Sequence, residues 1–267
     1  MKPKDILDQN FPPSILIYGL AGCGKTALVS QLSNAYLFDF DRGMRTAATL
    51  RDRFFVARQS IEFDEYRDEN PKKPTMYQKA MKKLLDFVGQ SSKDNLPYDA
   101  IVLDSLTGMC RAAQLQIQSL SDKSNPMGDP LAHMEIQNWG SLITEVERFL
   151  TLLRAMRRLT VVTAHVDTQE VKKPGGTLGE TMPVVMHPAS ATSKHGIKKL
   201  MWLFDEVLYA DARLVGAGKI NYRVTGKPPD NIIQARTRSG VGLVVHNEIG
   251  MLGLLKQMNY RYGEKDV

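Results

Sequence analysis

Cysteine is scarce in this chain: Cys23 and Cys110 are the only two in 267 residues. Two thiols build no disulfide framework, and their separation matches no metal-binding cluster. Such usage suits a reducing compartment. Long apolar runs are also missing; none approaches the ~18 residues of a membrane span. No signal peptide opens the chain, so the sequence predicts neither export nor membrane insertion and points to the cytoplasm. Internal repeats and low-complexity tracts are absent, which excludes solenoids and arrays. Aromatic residues make up 7 %, against 43 % hydrophobic and 24 % charged residues. These proportions describe a globular protein, and the length allows one large α/β domain. Acidic residues are outnumbered, 29 to 35, for a net charge of +6. A mildly basic balance is compatible with a nucleic-acid partner and equally with a solvated basic face.

Against these absences one stretch stands out, Gly19-Leu-Ala-Gly22-Cys23-Gly24-Lys25-Thr26. It matches G-x-x-x-x-G-K-[ST], follows the apolar run Ser14–Tyr18, which reads as a strand, and precedes Thr26–Leu32, which reads as a helix. A glycine-rich turn in that context points backbone N–H groups inward, where they hold phosphates. Gly19, Gly22, Cys23 and Gly24 would form the cradle, Lys25 would reach the β/γ-phosphates of ATP, and the Thr26 hydroxyl would ligate Mg²⁺. Cys23 fills a variable slot of the loop. The motif implies a nucleotide-binding site.

Around it the chain reads as alternating strands and helices. Residues 1–13 form a polar lead-in with no room for a separate N-terminal domain, 14–247 a single α/β core, and 248–267 a C-terminal tail. Within the core, Ala35–Asp41 is a second strand, and Phe54–Ala57 and Ile61–Tyr66 are short edge pieces. Thr75–Val88 is an amphipathic helix with its apolar stripe at Met76, Ala80, Leu84, Leu85 and Val88. Asp99–Ser105 is a third strong strand, Glu135–Arg158 a long helix, and Leu159–His165 a fourth core strand. A long basic loop at 166–198 follows, too long for a mere connection. The end is β-rich, with strands at Phe204–Ala210, Lys219–Val224 and Ile232–Arg236 and a hairpin turn at Gly216–Lys219. The pattern predicts a mainly parallel central sheet with helices on both faces and an antiparallel C-terminal extension.

In an open parallel sheet, ligands sit at the carboxyl ends of the strands. Asp104 ends one such strand and can hold Mg²⁺ beside Thr26. Ser105 either orients that carboxylate or caps the following helix. Asp39 and Asp41, two residues apart and facing the same way, are candidates to orient an attacking water. Asp41 lies farther beyond the strand and is the better placed; its competing assignment is a turn cap or a partner for Arg42 or Arg45. His165 closes the fourth strand, where a polar side chain can sense the γ-phosphate, or simply be a satisfied buried histidine. Arg236 and Arg238 alternate along a late strand and suit phosphate-charge stabilisation, in trans if they face away from their own nucleotide. A solvated edge strand is the plainer reading of the pair.

The order of elements resembles the ATPase core of the RecA/Rad51 recombinase and replicative-helicase superfamily. Tyr36-Leu-Phe-Asp39-Phe-Asp41 is similar to that family's strand ending in a catalytic acid, with Asp41 at the matching position in place of the usual glutamate. Val161–His165 resembles its strand ending in a γ-phosphate sensor ahead of a DNA-binding loop. Ile232–Gly240 resembles the Lys-x-Arg-x-Gly segment of hexameric helicases, with Arg236 and Arg238 at its basic positions. The wording of Leu37–Arg45, Phe204–Val207 and Ala235–Arg238 is similar to short phage-encoded RecA-core ATPases, some of them single-strand annealing recombinases.

That resemblance implies a RecA-like P-loop NTPase core and a Mg²⁺-dependent ATPase stimulated by single-stranded DNA. It also implies ATP held between subunits of a homo-oligomeric ring or filament, in the cytoplasm of a bacterial host. A single-stranded-DNA-binding protein or a helicase would be a further partner. DNA contact would fall on Lys172, Lys173, Lys194, Lys198 and Lys199, and no aromatic residue lies in that loop to stack on bases, so contact would be led by the backbone. The alternative expectation is a helicase loader or replication accessory ATPase acting through a protein partner.

Overall fold

A computed structural model gives the architecture and describes residues 11–45, 61–70, 72–120, 136–170, 184–188, 200–216, 218–228 and 233–263. The strands among them are β1 (Ser14–Gly19), β2 (Ala35–Asp39), β3 (Glu62–Glu65), β4 (Ala100–Asp104), β5 (Leu159–Glu170), β6 (Val184–Pro188), β7 (Glu206–Val215), β8 (Lys219–Thr225), β9 (Arg236–Thr237) and β10 (Leu243–Val245). The helices are α1 (Lys25–Val29), α2 (Met76–Ser91), α3 (Leu106–Ser119), α4 (Ile136–Ala155) and α5 (His246–Gln257).

The strands line up as β10-β8-β7-β1-β5-β4-β2-β3. From β7 to β3 every neighbour is parallel, whereas β8 and β10 add on antiparallel. The α/β fold with a mainly parallel sheet and an antiparallel C-terminal part is therefore the one observed. The central strands are near-continuous apolar runs because both of their faces are covered. On β1, Leu16 and Tyr18 face the core shared with α2, α3 and α4, while Ile15 and Ile17 face the core shared with α1 and α5. The same alternation puts Tyr36 and Phe38 on the first side and Ala35 and Leu37 on the second. Each fully buried side chain of this size contributes about 1.5–3 kcal/mol, so the centre of the sheet carries much of the burial that stabilises the fold.

Several expected elements shift. Helix α2 buries Tyr77, Ala80, Met81, Leu84 and Phe87 and leaves Leu85 42 % exposed. The two aromatic rings, larger than the leucine, claim the core and rotate the stripe by about one residue. Helix α1 stops at Val29, with Ser30 capping it. Just beyond, the Gln31 side chain turns to accept the N–H of Met251 at 2.7 Å, tying α5 to the phosphate-loop helix. Gly250, at φ 66°, breaks α5, and a Cβ there would meet Gln31 Oε1 at 2.5 Å. The expected strand at 232–236 is reduced to β9, because the Thr237 hydroxyl accepts the N–H groups of Gly240 and Val241 and turns the chain away. Residues 54–57, expected as a short strand, lie outside the described residues.

The expected loop at 166–198 begins instead as sheet. The pairing of β1 with β5 ends at Gly19 and His165, and from Val166 onward β6 takes over, antiparallel, from Val166 opposite Pro188 to Glu170 opposite Val184. Valine and threonine at these positions favour an extended ribbon. One continuous strand thus leads from the sheet centre out past its carboxyl edge.

Candidate functional site

The phosphate loop leaves β1 at the carboxyl edge of the sheet, between β5 and β7. Gly19 is required here by packing, since a Cβ would fall inside the carbonyl of Ala210 on β7. Gly22 and Gly24 sit at φ 77° and 84°, a region that side chains with a Cβ rarely adopt. Gly24 caps α1 without a side-chain acceptor, and the first turn holds no acidic residue. The N–H groups at this helix start are therefore open to an anion. Lys25 is only 7 % exposed, and its Nζ donates to the carbonyls of Gly19 (2.9 Å) and Leu20 (2.8 Å), folding the ammonium into the loop. Cys23 is buried under the loop with Sγ 3.6 Å from Lys25 Nζ; burial pushes its thiol up, and the nearby ammonium only partly offsets this.

Across the cleft, Thr26 Oγ1 donates to Asp104 Oδ2 at 2.7 Å, and the Thr163 hydroxyl donates to Asp104 Oδ1. The parallel register sets this up: Leu103 lies opposite Val162, so Asp104 falls beside Thr163. Asp104 is 2 % exposed, and burial raises its carboxyl pKa against the lowering effect of both hydroxyls, with Asp41 and Asp39 adding to the rise. Gly43 closes the site from above, where a Cβ would stand 2.7 Å from Asp104 Oδ2 and 2.8 Å from Thr26 Oγ1.

Asp39 and Asp41 separate into different roles. Asp39 is fully buried; its Oδ1 accepts the N–H groups of Asp41 (3.1 Å) and Gly43 (3.0 Å), and its Oδ2 accepts that of Met44 (3.1 Å). It shapes the turn that follows β2. Asp41, at the tip of that turn, lies 3.2 Å from His165 Nε2. Burial acts to raise the Asp41 carboxyl, but hydrogen bonds from His165 and Ser105, with the charges of His165 and Lys25, outweigh it and hold the group below its usual range. Arg42 and Arg45 pair with Glu65 rather than with Asp41. Ser105 caps α3, as one of its two expected roles, through the Gly108 N–H at 3.1 Å, but the carboxylate it bonds is Asp41 and not the Asp104 it was expected to orient. Gly108 lets Asp41 approach, since a Cβ there would lie 2.5 Å from Asp41 Oδ1. His165 is held by its own backbone N–H, which donates to Thr107 Oγ1 at 3.0 Å.

Arg236 and Arg238 stand at the other edge. β9 pairs with the amino end of β7, Val207 opposite Arg236, and that end lies level with Ile15 of β1. Arg236 Nη2 donates to the Phe204 carbonyl at 2.9 Å, and Arg238 Nη1 to Asp205 Oδ1 at 2.6 Å. Four residue steps along β1, from Ile15, separate this end from Gly19, about 13 Å at strand rise. The structure thus gathers Lys25, Thr26, Asp104, Asp41 and His165 into one cleft and places the arginines away from it. Lys172, Lys173, Lys194, Lys198 and Lys199 lie outside the described residues.

Three residues of the cleft were not singled out from sequence: Gly43, Gly108 and Thr163. Thr163 had a signal, because it sits two positions before His165 and so on the same face of β5. The arrangement fits ATP with Mg²⁺, given an uncapped helix start, an inward lysine, and a hydroxyl and carboxylate side by side. Among the described residues no group of three or more His, Cys, Asp or Glu is arranged to hold a metal ion alone. A cation here would depend on phosphate and water for its remaining ligands. No helix among them is long and apolar enough to cross a membrane.

No curated protein matches the chain. Among solved structures it is similar to the flagellar accessory protein FlaH from Methanocaldococcus jannaschii, with 11 % identity, 91 % of this chain and 93 % of that chain covered, and a TM-score of 0.44. The profile of a family described as an AAA domain matches residues 12–239. That span runs from the start of β1 through the phosphate loop, Asp104 and β9, and the chain accordingly belongs to the AAA-domain family as a P-loop ATPase domain.

Proposed function

We propose that this domain is an ATP-dependent, single-stranded-DNA-binding ATPase of the phage recombinase type, which promotes strand annealing or recombination as a homo-oligomer with ATP shared between copies. The observation that carries the reading is the continuity of β5. His165 touches Asp41 in the nucleotide cleft at 3.2 Å, and the same strand runs on through Glu170 as half of a ribbon. Beyond that ribbon the sequence supplies Lys172 and Lys173. A change at His165 on ATP binding or hydrolysis is felt on the segment that would grip a phosphate backbone.

In this reading the loop from Gly19 to Gly24 cradles the phosphates, Lys25 leaves the loop carbonyls for the β/γ-phosphates, and Thr26 with Asp104 would hold Mg²⁺. The ion, when bound, polarises the γ-phosphate and neutralises charge that develops there. Asp41, kept ionised by His165 and Ser105, accepts a hydrogen bond from the attacking water and orients it. One methylene shorter than glutamate, it is brought forward by the turn that Asp39 ties down. Arg238 and Arg236 lie too far from their own loop to assist it, and their position favours service to the ATP of a second copy.

The test is ATP hydrolysis with and without unstructured single-stranded DNA, over a range of protein concentrations and at low and moderate salt. Cooperative stimulation that weakens with salt supports the reading, because backbone contact releases counterions. A flat rate that ignores DNA overturns it and favours a nucleotide-dependent loader acting through a protein partner.

A further inference from the structure

The geometry points to Asp205 as a positioning residue that presents Arg238 to the phosphates of ATP on a second copy of this chain. The inference rests on the shared-ATP reading above and names the group that makes the arginine competent. Among the described residues Arg238 bonds Asp205 through Nη1 alone, and its side chain is 63 % exposed against 26 % for Asp205. A guanidinium carries five N–H donors in a rigid fork, so this grip leaves the other edge of the fork turned to solvent, in the geometry that matches phosphate oxygens.

The carboxylate is itself fixed. Asp205 Oδ2 accepts the Ser14 N–H (3.0 Å) and hydroxyl (2.7 Å), while the Asp205 N–H donates to the Ser14 carbonyl at 2.8 Å. The backbone beneath Arg238 is fixed as well, since Glu206, 2 % exposed, accepts the N–H groups of Arg238 (3.0 Å) and Ser239 (2.8 Å) through Oε1. Thr237 Oγ1 holds the next two N–H groups, with Gly240 at φ 84° closing the turn.

An exposed ion pair contributes little to stability, so stability alone gives no reason to anchor both its members. Preorganisation does, because an arginine already oriented loses less freedom when it meets a phosphate. Ser14 also opens β1, the strand that ends in the phosphate loop, so Asp205 joins the arginine to the strand that carries this copy's own nucleotide.

The experiment measures steady-state ATP hydrolysis for Asp205→Asn, Arg238→Ala and the double variant, at a protein concentration where the rate per subunit no longer rises. Binding of a fluorescent ATP analogue, read at the opposite end of the sheet, reports an intact fold. Asp205→Asn keeps an acceptor for Ser14 and loses the charge that orients Arg238. The expected result is a fall in kcat of about tenfold, with KM and analogue binding nearly unchanged, and no further fall when Asp205→Asn is added to Arg238→Ala. Asp205→Glu, which restores the charge, should recover part of the loss. Equal losses from Asp205→Asn in both backgrounds would mean a purely structural residue and overturn the proposal. So would an unchanged rate in Asp205→Asn while Arg238→Ala is impaired, or a rise, which would make the pair inhibitory. An unimpaired Arg238→Ala variant would remove the shared-ATP reading and the proposal with it, a pattern distinct from the others.

Discussion

Replacing Gly108 with alanine separates activity from stability. The new Cβ would stand 2.5 Å from Asp41 Oδ1 and 2.9 Å from Phe40 Cβ. An ordinary carbon–oxygen approach is about 3.4 Å, so the carboxylate must retreat by roughly 0.9 Å. Asp41 is the end of a side chain and can yield, and in yielding it leaves His165, now 3.2 Å away. A displacement near 1 Å in a catalytic group costs about 10²-fold in rate. Helix α3 meanwhile gains, because alanine is favoured over glycine within a helix by about 0.5–1 kcal/mol, and this gain works against the crowding at Phe40. The expected variant melts within about 3 °C of the parent, binds a fluorescent ATP analogue within a few-fold, and hydrolyses ATP about a hundredfold more slowly. Adding Asp41→Asn should lower the rate little further, since both changes disable one group. A variant that keeps the parental rate would refute the assignment of Asp41, whereas one that loses nucleotide binding or melts far lower would show that the glycine serves the fold.

Three further outcomes follow from the same cleft. Lys25→Ala removes a charged donor from the phosphate cradle, a loss of about 1.5–3 kcal/mol, and titration should show ATP Kd raised about ten- to a hundredfold. Gly19→Ala drives a methyl into the Ala210 carbonyl of β7, and thermal melting should report a loss of about 1–3 kcal/mol, as for other overpacked sites. Asp104→Asn, without nucleotide, should melt higher at pH 7, since it removes a buried charge whose cost is about 1–3 kcal/mol. The sign follows from the raised carboxyl: the cost is absent below the ordinary value of 3.8, grows as pH rises and is complete above the folded value, so the advantage of asparagine should shrink as the melts are run toward acid.

What could be read from sequence was whatever a local pattern determines. The phosphate loop has its own spacing, the core strands are apolar runs, and the long helix that became α4 carries apolar residues at 3.6-residue spacing, of which Leu142, Val146, Phe149, Leu150, Leu153 and Met156 are buried and Ile143 only half-buried. Helix α2 was harder, because Leu85 and Phe87 are both apolar and only tertiary volume decides which goes inside. The β5–β6 ribbon was hidden because antiparallel partners far apart in the chain, Val166 with Pro188 and Glu170 with Val184, are joined by pairing rather than by pattern. Gly43 and Gly108 were hidden for a related reason: each is needed only because a side chain from another element comes within 3 Å of where its Cβ would be.

Three carboxylates share this cleft, and their neighbours decide what each can do. Asp39 has three backbone N–H donors and no exposure, so it shapes a turn and its burial closes it to substrate. Asp104 has two hydroxyl donors, Thr26 and Thr163; burial outweighs them and raises its carboxyl, the condition of a group that gains most when a positive charge arrives. Asp41 is 30 % exposed at its side chain, with a histidine against one oxygen, and it alone is held below its usual range. A lowered carboxyl is a weak general base, so Asp41 would act on water by orientation and charge more than by taking a full proton before the γ-phosphate bond breaks. Phosphoryl transfer through a loose transition state demands little more than that. The same sheet edge thus holds three acids in three different settings, and the difference between them lies in the donors that the turn after β2, the hydroxyls of Thr26 and Thr163, and the ends of α3 and β5 bring to each.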